Sequence, residues 1–217
     1  AEARELNIGF VSRMTRGRPW LRLKAAATLD GKTALNNGVS QWITGDDARR
    51  DGHRWRARSC AVLTGIGTLR DDDPQLTVRE VETTRQPLRV VVDSKLETPL
   101  TARLLQGGNV LVAGAVDDRV RIAALGAAGA EVFVQPNAGG KVDLAALMAE
   151  LARRGINEVH AEAGFALSGS LLRAGVVDVR RAQGNDHVSR ARRSAGRFCC
   201  GRAGPDSLAL EQRERGR

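Results

Sequence analysis

The stretch "NEVHAEAGFALSGSLLRAG", Asn157–Gly175, reads as strand, turn and helix in immediate succession. Glu162 closes the strand, and small residues follow: Ala163, Gly164, Ala166, Ser168, Gly169 and Ser170. A helix starting in such a turn offers free backbone N–H groups and the positive end of its dipole, and the missing bulk lets an anion reach them. The same glycines also suit plain turn and helix-packing duties, so the stretch alone leaves both readings open. What it decides is the architecture. A strand running straight into a helix is part of a βαβ unit, and such units build parallel sheets covered on both faces. In those sheets ligands gather at the carboxyl ends of the strands.

The rest of the chain repeats the alternation. "WLRLKAAATLDG" (Trp20–Gly31) puts Leu21, Leu23, Ala25 and Ala27 on one face of a strand and ends in an Asp-Gly turn. "ITGDDARRDGHRWRARS" (Ile43–Ser59) predicts a helix capped by Thr44, with Asp46 and Asp47 in the first turn, where the dipole favours acids. "CAVLTG" (Cys60–Gly65) is a short buried strand, and "GIGTLRDDDPQLTVR" (Gly65–Arg79) reads as a loop. "LRVVVDS" (Leu88–Ser94) and "NVLVAGA" (Asn109–Ala115) are strands, and "DRVRIAALGAAGAEVFVQP" (Asp118–Pro136) is helix, turn, strand. In "DLAALMAELARRG" (Asp143–Gly155), Leu144, Leu147, Met148 and Leu151 recur at helical spacing, with Asp143 as N-cap and Gly155 past the end. Residues 1–19 form a helical lead-in that closes in the basic turn "RMTRGRP". No internal repeat is visible.

The 217 residues suit one large domain or two small ones. Only 3% are aromatic and none is Tyr, so aliphatic side chains and Ala must fill the core. No apolar run approaches the roughly 18 residues of a membrane span, and "AEARELNIGF" lacks the pattern of a signal peptide. Cys60, Cys199 and Cys200 make neither a disulfide framework nor a metal-ligand spacing, so a reduced, cytoplasmic protein is expected. The net charge of +9 invites a nucleic-acid reading. Its distribution argues against one. Residues 179–217 hold ten Arg and four acids, whereas residues 1–178 hold 24 bases and 21 acids. The excess belongs mostly to the tail, not to a folded face.

Several other segments carry candidate chemistry. "LTGIGTLRDDDP" (Leu63–Pro74) follows a strand and contains Gly65, Gly67 and Thr68, but it lacks the third glycine of the dinucleotide fingerprint. Asp72 and Asp73 suit ligand hydroxyls or a solvated turn. "VSQWIT" sets Ser40, Trp42 and Thr44 before a helix start, where Trp42 serves either a flat ring or the cap. The guanidinium groups of Arg56 and Arg79 suit phosphate, although many Arg residues here are surface residues. His160-Ala161-Glu162 matches half of a zinc deaminase signature, but the Cys-x-x-Cys half is absent. A zinc site is rejected, and His160 reads as a strand histidine beside a functional Glu162.

Four segments together, "LKAAATLDGKTALNNGVSQWIT" (Leu23–Thr44), "RARSCAVLTGIGTLRDDDPQLTVR" (Arg56–Arg79), "RQPLRVVVDS" (Arg85–Ser94) and "VHAEAGFALSGSLLRAGVVD" (Val159–Asp178), resemble the reductase domain of the bifunctional riboflavin-biosynthesis deaminase/reductase. The likeness runs in order through nearly all of residues 1–178. "ARELNIGFVSRM" (Ala3–Met14) is similar to the segment joining the two halves of that family, and the deaminase zinc motifs are absent. The resemblance implies a dihydrofolate-reductase-like α/β fold, a mostly parallel sheet with helices on both faces. It also implies NADPH-dependent reduction of 5-amino-6-(5-phosphoribosylamino)uracil to the ribitylamino product, by an enzyme that associates as a homodimer. Ala26, Trp42, Thr68, Asp72, Ser94 and the turn Gly164, Phe165, Ala166, Leu167, Ser168, Gly169 and Ser170 would touch NADPH. Ser40, Arg56, Leu76, Arg79 and Glu162 would hold the substrate. Lys24 and Asp30, with Glu162, would line the hydride path, and Lys95 beside Ser94 would meet the adenosine 2′-phosphate.

Two departures from the family stand out. Its turn usually reads Gly-Pro-Thr-Leu, whereas this chain has Gly164-Phe165-Ala166-Leu167. After Asp178 the chain becomes Arg-rich and loses strand alternation. The expectation is therefore a reductase domain at 20–178, a disordered basic tail at 179–217 and missing C-terminal strands, with activity impaired. A catalytically inactive nucleotide or sugar-phosphate binding module is the competing reading, and a pteridine-like substrate is a weaker one.

Overall fold

The computed structural model describes residues 2–26 and 46–183. Seven strands form one sheet: β1 (Trp20–Ala26), β2 (Ala61–Gly65), β3 (Leu88–Val92), β4 (Val110–Gly114), β5 (Ala130–Val134), β6 (Glu158–Glu162) and β7 (Val179–Gln183). Their order is β5-β4-β3-β2-β6-β1-β7, and every pairing is parallel. The helices are α1 (Glu2–Leu6), α2 (Ile8–Arg16), α3 (Asp46–Arg58), α4 (Ile66–Asp72), α5 (Arg119–Ala127), α6 (Leu144–Arg153) and α7 (Phe165–Arg173). All seven strands end on one edge, and β6 returns between β2 and β1. Its carboxyl end therefore lies where the winding reverses, the position that binds ligands in such sheets.

Side chains alternate across a strand, so each face has its own character. On one face Leu21, Leu23, Leu63, Val90, Leu111, Val159 and Ala161 pack with Leu147, Met148 and Leu151 of α6 and Leu171 of α7. These α6 residues are the helical stripe read in the sequence, and Asp143 caps the helix by accepting from Ala146 N–H at 2.9 Å. On the other face Val91, Val110 and Val112 pack with Leu69 of α4 and Leu125 of α5. Over β1 and β6 that second face turns charged: Arg22, Lys24, Glu158, His160 and Glu162 share it under α3. Arg22 lies 4.1 Å from the Trp55 ring of α3 and pairs with Glu158 at 3.3 Å.

Two expectations need correction. The segment after Gly65 is not wholly a loop, because Ile66–Asp72 is helical. Gly65 ends β2 in extended conformation, Leu69 is driven into the core, and Asp73, left-handed at φ 39, stops the helix before Pro74. Gly65 also packs closely on α7: a Cβ there would sit 3.1 Å from the Leu167 side chain, which would have to shift slightly.

The second correction concerns the boundary at Asp178. Val179–Gln183 does not fall outside the sheet but forms β7, in register with Arg22–Ala26 of β1. Among the described residues β7 is the outermost strand, and backbone ladder bonds there do not require an alternating apolar pattern, so composition misread this segment. The expectation of a disordered tail otherwise falls on residues 184–217, outside the described residues.

Asp178 anchors that edge. Its carboxylate, 5% exposed, accepts from Arg16 and Arg18 at 2.8–2.9 Å and from Leu21 N–H at 2.9 Å. Asp178→Ala is expected to cost about 2–4 kcal/mol, since charged hydrogen bonds contribute ~1.5–3 kcal/mol each and do not add fully. Urea unfolding of the variant beside wild type checks this, and an unchanged midpoint would contradict it.

Candidate functional site

Glu162 stands at the end of β6, directly beside Lys24 of β1. Arg56, from α3 above, clamps it with two bonds, Nε to Oε1 at 2.5 Å and Nη2 to Oε2 at 3.0 Å. Lys24 Nζ approaches Oε2 at 3.7 Å, and His160 Nε2 faces Oε1 at 3.6 Å. Thr64 of β2 fixes the strand end by donating its hydroxyl to the Glu162 carbonyl at 2.8 Å. Burial pushes the Glu162 carboxyl pKa upward, but the charge and hydrogen bonds of Arg56, followed by the charge of Lys24, outweigh it and hold the pKa far below the usual range. Glu162 is thus a fixed anion at neutral pH. Burial lowers the His160 pKa to about 4, against the pull of Glu162 and with help from Lys24, Arg56 and Arg22, so its ring is neutral.

Arg56 also reaches the loop after α4, donating from Nη1 to the Thr77 carbonyl at 3.1 Å. His53, one turn earlier on α3, accepts from Arg79 N–H at 3.2 Å. Gln86 brackets Val78 by accepting from its N–H at 2.8 Å and donating to its carbonyl at 3.1 Å. The loop is therefore pinned, and the Arg79 side chain is exposed, with Nη1 donating to the neutral oxygens of Gln75 and Thr77. Leu76 is only 2% exposed and left-handed at φ 54, so its backbone, not its side chain, is what it can offer a ligand.

On the other side of β6, Thr68 of α4 accepts from Gly164 N–H at 3.2 Å. Gly164, Phe165 and Ala166 are exposed at the start of α7, and no acidic residue occupies that first turn. Further along, Ser168 donates to the Ala163 carbonyl and Ser170 to the Ala166 carbonyl, so both hydroxyls are engaged within the helix and its cap. Ser94, just past β3, accepts from Val142 N–H at 3.3 Å, and Lys95 beside it is exposed. Asp93 steadies this turn by accepting from Thr98 N–H at 2.6 Å and its hydroxyl at 2.8 Å. Asp72 lies at the far end of α4, exposed, and Ala26 closes β1 opposite Gln183. Asp30, Ser40, Trp42 and the Thr44 cap lie outside the described residues.

The strand order thus lines up Ser94, Thr68, Gly164, Glu162 and Lys24 along one edge, across β3, β2, β6 and β1. The RibD C-terminal domain model matches residues 19–182, the whole of this sheet save the last residue of β7. The chain belongs to the RibD C-terminal domain family. It is 40% identical over 191 residues to the riboflavin biosynthesis protein RibD of Escherichia coli K12, covering 82% of this chain and 51% of that protein. The structure matches RibD of Acinetobacter baumannii with a TM-score of 0.72 and 38% identity, over 83% of this chain and 49% of that one. It also matches the Thermotoga maritima diaminohydroxyphosphoribosylaminopyrimidine deaminase/5-amino-6-(5-phosphoribosylamino)uracil reductase, with a TM-score of 0.69, 30% identity, and 83% and 48% coverage. The chain spans about half the length of the curated relatives it matches. As a RibD C-terminal domain, it has the dihydrofolate-reductase-like α/β fold.

Sequence reading of this RibD domain singled out Lys24, Arg56, Thr68, Arg79, Glu162 and Gly164 as candidates but missed the contacts that join them. Arg56 pairs with Glu162 across 106 positions of sequence, which no motif announces. Thr64 and His53 were missed too. Only the spacing of His160 and Glu162, two residues apart on one strand, was a usable signal.

Proposed function

We propose that the chain is an NADPH-dependent reductase of riboflavin biosynthesis that converts 5-amino-6-(5-phosphoribosylamino)uracil to its ribitylamino product. The observation that carries this reading is the Glu162–Arg56–Lys24 trio at the reversal of the sheet, next to an open, acid-free helix start at Gly164. The exposed first turn of α7 and Thr68 fit a dinucleotide's phosphates, and Ser94 with Lys95 fits the far end of the cofactor. When bound, the reduced nicotinamide supplies the hydride.

The chain's own residues do the rest. Glu162 is ionised, so it accepts hydrogen bonds and gives up no proton. Arg56 occupies one lone pair on each of its oxygens, which leaves acceptor capacity for hydroxyls of the opened ribose. Lys24 brings a second N–H donor group to the carboxylate, with Nζ 3.7 Å from Oε2. Arg79 stands ready for the substrate phosphate, whereas Arg56 acts on the substrate through Glu162. Cytoplasmic placement and a homodimer belong to the same proposal, supported by the free Cys60 thiol and by the family resemblance.

The test is cofactor oxidation by the full chain with this pyrimidine as acceptor. Turnover is expected, and Arg79→Ala should raise the substrate KM about tenfold or more while leaving the cofactor KM alone. Absence of any turnover would overturn the proposal. Replacing Ser94 and Lys95 together by Ala should shrink the preference for NADPH over NADH by about tenfold, read as the ratio of kcat/KM values. An unchanged ratio would move the 2′-phosphate contact elsewhere.

A further inference from the structure

His160 is 1% exposed, and neither ring nitrogen has a hydrogen-bond partner among the described residues. Buried polar groups are nearly always paired, because an unmet donor keeps its full desolvation cost. An apolar residue at this position of β6 would avoid that cost. The ring is walled by Arg22 and Lys24 from β1, Glu158 and Glu162 on β6, Arg56 from α3, and the uncharged Val62 and Thr64 of β2. Three of these groups are cations, which disfavours an imidazolium. A neutral ring has one N–H to place. On Nδ1 it would have no acceptor among the described residues; on Nε2 it faces Glu162 Oε1 across 3.6 Å.

The carboxylate is therefore held tightly from above by Arg56 and approached loosely from the strand side by Lys24 and His160. Loose contacts of this kind tighten in many sites only when a ligand arrives. We infer that His160 is a positioning residue for Glu162: its Nε2–H closes onto Oε1 when a ligand hydroxyl engages the carboxylate, and so sets the angle at which Glu162 meets the substrate. This rests on the proposed role of Glu162 as a substrate contact.

Two measurements on the full chain test it. In the first, 15N NMR of the histidine rings near neutral pH should show His160 as the neutral Nε2–H tautomer. Its Nε2 signal should move on adding the pyrimidine substrate and in Glu162→Gln. In the second, His160→Leu should lower kcat about tenfold with the NADPH KM unchanged, and His160→Gln, which keeps an N–H donor, should recover most of that loss. An Nδ1–H tautomer, a Nε2 signal indifferent to substrate, or wild-type kcat in His160→Leu would each overturn the inference. Should the wild-type chain fail to oxidise NADPH with this substrate, the proposed function falls, and the tautomer alone then decides the role of His160. The tautomer also decides it if Glu162→Gln fails to fold.

Discussion

Arg56→Ala is expected to lower stability by about 3–5 kcal/mol, the cost of leaving one member of a buried ion pair alone. Glu162 is 12% exposed and Arg56 15%, so water does little to replace the lost partner. A domain is stable by only ~5–15 kcal/mol, and the Thr77 tie that pins the Arg79 loop would go as well. The variant should unfold at markedly lower urea, and what folds should show a raised Glu162 pKa. Arg56→Lys should rescue only part, since an ammonium cannot make the two-pronged contact. A loss below about 1 kcal/mol would mean that the clamp is a surface pair in energetic terms.

Acid should weaken the fold in a characteristic window. His160 has an ordinary unfolded pKa near 6.5 and about 4 when folded. Between those values the unfolded chain binds a proton that the native state refuses, so stability rises with pH and is lost as pH falls from 6.5 towards 4. The shift corresponds to about 3 kcal/mol. His53, lowered by burial and by Arg56, adds with the same sign. Glu162, with a depressed pKa, adds a further loss below about 4.5, as its unfolded carboxyl takes up protons. Unfolding free energies measured across this range should decline in wild type, and His160→Leu should flatten the upper part. An identical slope in both would show that the buried imidazole is not responsible.

The sheet was legible because its strands advertise themselves. Runs such as Val90–Val92 and Val110–Val112, followed by capped helices such as that after Asp143, leave few alternatives. The α4 helix was obscured by its glycines: Gly65 and Gly67 look like a ligand loop, yet one ends a strand and the other sits in a helical turn. Strand β7, outermost among the described strands, was obscured by Arg180 and Arg181, since ladder bonds to β1 hold it without an apolar pattern. At the site, local chemistry was readable and pairing was not. Arg56 suits phosphate by residue type, but the fold spends both prongs on Glu162, a long-range contact that spacing does not encode.

In the proposed function, the edge across β3, β2, β6 and β1 holds cofactor and substrate together, with the Glu162 end meeting the sugar. The most direct measurement follows the hydrogen itself. The full chain is incubated with 5-amino-6-(5-phosphoribosylamino)uracil and NADPH deuterated at the transferable position, and the product is analysed by mass spectrometry and NMR. One deuterium is expected in the ribityl chain, at the carbon bonded to the amino nitrogen, and its transfer should be lost in Glu162→Gln. Product without deuterium at that carbon, or undiminished transfer in the variant, would contradict it.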